Sequence, residues 1–177
     1  LPIPKNPPEL QLRIGPGLDP ASELGPLVSE RQQQRVRGYI ELGVAEGARL
    51  RTGGPAEGPG YFVRPTVLTD VDPASRVCRE EIFGPVVVAA SFASDEQLIR
   101  QANDTRYGLA ASIWSNDLKR ARELAQGLRA GTVWINTHNP VDPALPFGGY
   151  GMSGFGREGG PEQLDAYLET KAIWISS

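Results

Sequence analysis

Short β-branched runs alternate with amphipathic stretches through the second half of this 177-residue chain, and the connections between them are brief. Residues 86–90 (VVVAA) make an apolar run suited to a strand buried on both faces. Ser94 and Gln97 form a capping box ahead of a helix carrying Leu98, Ile99 and Ala102. Residues 109–114 read as a strand. Residues 117–129 read as a helix with Leu118, Ala121, Leu124, Ala125 and Leu128 along one side, and 131–136 (GTVWIN) as a further strand. Parallel neighbours need a crossover between them, and a helix supplies it, so this order predicts an α/β fold with a parallel sheet. A long loop then runs to about Gly160. A short helix near 162–167 and a last strand over 170–176 complete the pattern.

The first half is less regular. Residues 1–28 are a proline- and glycine-rich lead-in, expected to be extended and surface-lying. Ser29 is a good N-cap, and Gln32 three residues on completes a capping box. Val36, Tyr39, Ile40, Val44 and Ala48 follow at helical spacing and predict one buried face. Residues 52–60 look like a turn-rich break, and 61–68 return to strand-like composition. The length supports one domain with a real core, and two compact domains would stretch it.

Composition removes several classes of function. A formal net charge of −3 and a pI near 5.3 leave no basic field for nucleic acid or an anionic membrane. The apolar runs are too short to span a bilayer. The first residues have no apolar core of the signal-peptide kind, and they begin with Leu, which hints at processing, truncation or an engineered start. A single cysteine permits no internal disulfide and fits a reducing, cytoplasmic setting. The single histidine, His138, has no Cys, His or acidic cluster at metal-ligand spacing, so no metal site is expected.

Two segments carry the chemistry: EEIFGPV at 80–86 and PFGGYGMSGFGREGG at 146–160. The second contains two G-x-G-x-x-G matches, Gly149/Gly151/Gly154 and Gly154/Gly156/Gly159. A dinucleotide fingerprint needs such glycines directly between a strand and a helix. The nearest expected strand ends at Asn136, so the pattern reads as a loop needing positive φ and close backbone approach. By pattern alone Glu81 is a helix-start acid and Phe83 a core phenylalanine. Asn136 reads as a strand-ending residue that bonds backbone. Cys78 is flanked by Arg76 and Arg79, which could favour a thiolate, but it reads as structural.

Taken together with GPLVS at 25–29, NDTRYGLA at 103–110, GTVWIN and ETKAIWI at 169–175, these segments resemble the catalytic-domain signatures of the aldehyde dehydrogenase superfamily. The family segment P-F-G-G-x-K-x-S-G-x-G-R-E is matched at Pro146, Phe147, Gly148, Gly149, Ser153, Gly154, Gly156, Arg157 and Glu158. Gly151 stands where many members have Lys.

The resemblance implies that Glu81 accepts hydrogen bonds from the nicotinamide ribose and that Phe83 packs near the nicotinamide. Phe147 then belongs to the aldehyde tunnel, with Val141 and His138 in its variable part, although a solvated loop histidine is the plainer reading of His138. The family nucleophile sits in a G-Q-x-C context upstream of this region, and no such context occurs here, so no catalytic residue is assigned.

The implied architecture is a partial three-layer, parallel-sheet catalytic domain over 29–168. An oligomerisation strand follows over 169–177, with the edge from Thr170 to Ser176 pairing copies of the chain. The implied function is the C-terminal portion of an NAD- or NADP-dependent aldehyde dehydrogenase. Its cofactor would bind the complete enzyme, with no tight binding to this chain alone. A non-catalytic assembly module is the alternative, and a freestanding dinucleotide binder rests only on the glycine runs.

Overall fold

The computed structural model describes residues 12–56 and 59–176. The lead-in expected over 1–28 therefore lies partly outside the described residues. From Arg13 to Leu27 it folds back on itself. The Glu23 carboxylate accepts from the Arg13 backbone N–H at 2.9 Å, and the Gly15 N–H donates to the Leu24 carbonyl at 3.0 Å. The Arg13 bonds, first the backbone N–H and then the side chain, hold Glu23 below its ordinary carboxylate range.

The chain divides into two compact units, 1–91 and 92–177. The reason lies in how its apolar residues segregate. Val36, Ile40, Ala48, Val63, Leu68, Val77 and Ile82 form one core, and all of them belong to the first unit.

In the first unit helix α1 (Glu30–Ala45) starts where Ser29 Oγ accepts the Gln32 N–H. Val36, Ile40 and Gly43 are its buried stripe, while Val44, expected on that face, lies to one side and is half exposed. Strands β1 (Arg49–Pro55) and β2 (Val63–Thr69) pair antiparallel, and β2 pairs parallel with β3 (Val86–Val88) after the one-turn helix α2 (Arg76–Arg79). This sheet is mixed, not purely parallel.

Strand β1 runs through much of the expected break. Gly53 and Gly54, at φ +93° and +99°, sit where the β1–β2 register shifts. The glycines that signal a turn make a bulge instead. Strand β3 is an edge, and Val87 is 56% exposed, so the expectation of burial on both faces fails for this chain.

The second unit holds α3 (Asp95–Asn103), β4 (Ala110–Ile113), α4 (Leu118–Gly127) and β5 (Thr132–Ile135). Strands β4 and β5 pair parallel with α4 as their crossover, as the sequence predicts, and the register sets Ser112 beside Trp134. Ser94 Oγ accepts the Gln97 N–H at 3.2 Å, and Gln97 Oε1 accepts the Ala93 N–H at 2.8 Å. Ala121 and Leu124 are buried, whereas Leu118 is exposed at the first position of α4.

A glycine-rich stretch follows, with a single 3₁₀ turn at Gly151–Ser153 and a short helix α5 (Glu162–Asp165). Residues 170–176 form no strand here, because a strand exists only beside a partner and this segment pairs with none among the described residues. Ile173, Trp174 and Ile175 are left exposed.

Candidate functional site

The first cluster is the turn from Glu80 to Gly84, and α1 holds it. Gln32, Arg35 and Tyr39 lie on one helix face at spacings of three and four. The Gln32 amide donates to the Phe83 carbonyl at 2.7 Å and to the Ile82 carbonyl at 3.4 Å. Arg35 donates to the Glu81 carbonyl at 2.6 Å. The Tyr39 hydroxyl donates to the Glu80 carboxylate at 2.6 Å, and Arg76 binds the same carboxylate through two bonds of 2.9 Å. Those bonds from Glu80 raise Arg76 further above its ordinary value. Ile82 is buried in the core, and Gly84 lies so close to α1 that an added Cβ would meet Val36 methyls at 2.5 and 2.9 Å.

This clamp separates two adjacent acids. Glu80 is half-buried and bonded. Glu81 is exposed, and its carboxylate has no hydrogen-bond or ion-pair partner among the described residues. Phe83 is 72% exposed with φ +57°, a conformation that bulky side chains adopt only when the surroundings enforce it. Neither the helix-start acid nor the core phenylalanine of the pattern-only reading survives. The outcome is a rigid turn presenting a free carboxylate and a bare aromatic ring.

The second cluster lies within the other unit. Trp134 on β5 is its centre. The His138 ring meets Trp134 edge-on at 5.6 Å between centroids, and Phe147 stacks against it at 6.5 Å. The Trp134 Nε1–H donates to the Pro140 carbonyl at 3.1 Å. His138 is exposed, and its Nδ1 shares a 2.8 Å hydrogen bond with Ser112 Oγ. Val141 is exposed.

Asn136, at φ +55°, uses its amide to accept from the Ser115 N–H at 2.8 Å and donate to the Ser115 carbonyl at 2.9 Å. That is the backbone-bonding role its position suggests.

The glycine run is a packed loop. Gly151, Gly154, Gly156, Gly159 and Gly160 all have positive φ. Phe147 and Glu158 exchange backbone bonds of 2.7 and 2.8 Å, and Arg157 donates to the Gly149 and Gly156 carbonyls. Gly131 admits no side chain, because a Cβ there would strike the Gly148 carbonyl oxygen. No strand leads directly into the run, and only a three-residue 3₁₀ turn lies within it, so it lacks the phosphate-cradling geometry.

Cys78 is half-buried on α2, in a unit that does not contain the histidine. Among the described residues no group of three or more His, Cys, Asp or Glu could hold a metal, and no helix is long and apolar enough to cross a membrane. In the sequence Gln32 reads as a reciprocal cap and Tyr39 as core, and Arg35, Ser112 and Trp134 go unmarked as site residues. The spacing of three polar groups at 32, 35 and 39 is the available signal for the first cluster. Nothing local marks Ser112.

The model of the aldehyde dehydrogenase family matches residues 9–173. The chain is 48% identical over 166 residues to the mitochondrial aldehyde dehydrogenase of Leishmania tarentolae, covering 93% of this chain and 33% of that protein. A solved aldehyde dehydrogenase from Bacillus cereus, an E194S mutant, superposes with a TM-score of 0.89 at 49% identity, over 93% of this chain and 34% of that one. The NAD+ complex of the Bacillus cereus aldehyde dehydrogenase superposes with a TM-score of 0.87 over the same shares. The chain spans about a third of the length of the relatives it matches.

Proposed function

This chain belongs to the aldehyde dehydrogenase family, and we propose that it is the C-terminal portion of an enzyme oxidising an aldehyde to a carboxylic acid with NAD or NADP. The observation that carries the reading is the division between Glu80 and Glu81. Glu80 commits its carboxylate to Tyr39 and Arg76, while Glu81 keeps both oxygens available on a clamped turn. Two carboxylate oxygens can accept from the vicinal hydroxyls of a ribose as charge-assisted bonds. The exposed Phe83 ring beside it suits a flat heterocycle. A bound nicotinamide would supply the hydride acceptor, and the chain's part is to hold that ribose and limit movement of the ring.

Phe147, with Val141 and His138, supplies part of the wall that an aldehyde meets. The complete enzyme is taken as cytoplasmic and homo-oligomeric. The exposed Ile173, Trp174 and Ile175 would join a sheet edge of a second copy. Sedimentation of the intact chain should then give a dimer or larger species, and deletion from Glu169 onward should give monomer.

The decisive experiment is Glu81→Gln in the complete enzyme. It keeps the shape but removes the charge and half the acceptor capacity. Each bond to a charged group contributes about 1.5–3 kcal/mol. Cofactor titration should show weaker binding, or single-turnover kinetics slower hydride transfer, at an unchanged melting temperature. Unaltered affinity and rate would remove Glu81 from the cofactor site. The 177-residue chain alone should oxidise no aldehyde, and turnover abolished by Cys78→Ser would overturn the structural reading of that thiol.

A further inference from the structure

The β4–β5 register puts Ser112 and Trp134 side by side, and matched residues of parallel strands project to the same face. Beyond β5 the chain reverses at Asn136, whose amide extends the pairing to Ser115. That reversal returns the chain toward β4 and sets His138 against both neighbours, at 2.8 Å from Ser112 Oγ and edge-on to the Trp134 ring. Trp134 also holds Pro140 within the following loop through its Nε1–H and meets Phe147, just past the loop, with its ring face. The loop's far half is held by the Gly160 N–H, which donates to the Pro143 carbonyl at 2.9 Å. Between these ties Val141 and Leu145 stand exposed on a restrained backbone.

We propose that Ser112 and His138 form a latch that positions the 137–145 loop, and that this latch sets how the loop receives the hydrocarbon chain of an aldehyde. This rests on the reading of Phe147 and its loop as aldehyde-facing. His138 is then a positioning residue. Its Nδ1 is taken by Ser112 and its ring packs on Trp134, so it orders the loop without bonding substrate. A loop that is already ordered loses less entropy when an apolar chain covers it. Aldehydes long enough to reach Val141 and Leu145 gain from the latch, and a two-carbon aldehyde does not.

The test is steady-state kinetics of the complete enzyme with acetaldehyde and with a straight-chain octanal. Ser112→Ala should raise the KM for octanal about three- to tenfold, the value of one net hydrogen bond. It should leave the acetaldehyde KM, the cofactor KM and kcat unchanged. His138→Phe, which keeps a ring for Trp134, should raise the octanal KM by a similar factor. The double variant should be no worse than either single one, because the two residues act as one unit. Ser112→Thr restores the hydroxyl and should restore the KM.

An octanal KM unmoved by Ser112→Ala overturns the latch, as does an equal rise for both aldehydes with a lowered melting temperature. Phe147→Ala separates this from the parent reading. If Phe147→Ala raises aldehyde KM while Ser112→Ala does not, the latch alone falls. If neither has any effect, the aldehyde-facing loop falls with it.

Discussion

The turn at 80–84 and the loop at 137–160 are both irregular backbone held rigid, and they are held by opposite means. Side chains of one helix grip the turn: Gln32 and Arg35 reach its carbonyls, and Tyr39 reaches the Glu80 carboxylate. Much of the loop is held by the lack of side chains. Its backbone packs closely at Gly148 and Gly149 and against Gly131 before β5, where no Cβ fits, with Trp134 and Arg157 as large anchors. A side-chain clamp leaves the gripped residues free to be chemically distinctive, so Glu81 and Phe83 can face outward. A glycine-packed loop tolerates variety only where it leaves the packed backbone, as at Val141 and Leu145. The two devices should also fail differently under substitution.

The largest failure should come from Gly131→Ala, just before β5, where the loop packs against it. Its Cβ would strike the Gly148 carbonyl oxygen, a backbone atom that cannot swing aside. Overpacking of this kind costs about 1–3 kcal/mol and occasionally more, and this position should lie at the upper end. Urea unfolding of the chain measures it, and a loss too small to resolve would mean that the loop is softer than its packing suggests.

Gly84→Ala tests the turn in the same way, with a smaller effect expected, because its clash is with side-chain methyls of Val36 that can move. About 1–2 kcal/mol is expected. Combining it with Val36→Ala should cost less than the sum of the two single changes, since each relieves the other. Strict additivity would show that Gly84 and Val36 do not press on one another.

Removing the grip without touching the turn is a milder change. Gln32→Leu deletes the donor to two carbonyls and should cost about 0.5–1.5 kcal/mol. The distinguishing sign is local: amide exchange at Phe83 and Gly84 should quicken more than in the core strand β2. Uniform quickening across the first unit would make Gln32 a general packing residue and erase the contrast with the loop.

The smallest effect concerns neither region and serves as a baseline. Bonds from Arg120 hold Asp95 below its ordinary range, and both side chains are exposed. A depressed folded-state pKa stabilises above the unfolded value near 3.9, and that contribution vanishes as pH falls through the depressed value. The stability difference between wild type and Asp95→Asn should therefore shrink toward zero in acid, and 1 M salt should reduce it at neutral pH. A difference that grows on acidification would contradict the sign.

Much of the second unit is legible in the sequence because its signals are local. Ser94, Gln97 and the stripe Ala121, Leu124 each depend on residues within a turn or two of one another. The β4–α4–β5 crossover follows from their order. The bulge at Gly53 and Gly54 reads as a turn in the sequence, since glycine marks both and only pairing with β2 tells them apart. Residues 170–176 have the composition of a strand, yet a strand depends on a neighbour, and neither sheet among the described residues supplies one.

By itself the order of residues determined the helix starts, the parallel pair, the family and which two segments are the functional candidates, because capping, periodicity and motif spacing act over short stretches. Only tertiary structure decided which of Glu80 and Glu81 keeps a free carboxylate, that Gln32 grips Phe83 instead of capping its own helix, and that Ser112 meets His138. Those outcomes join residues 51 apart in the case of Gln32 and Phe83, and 26 apart in that of Ser112 and His138. Chain propensity does not reach that far. Each donor chooses among partners only when packing brings them within hydrogen-bond distance.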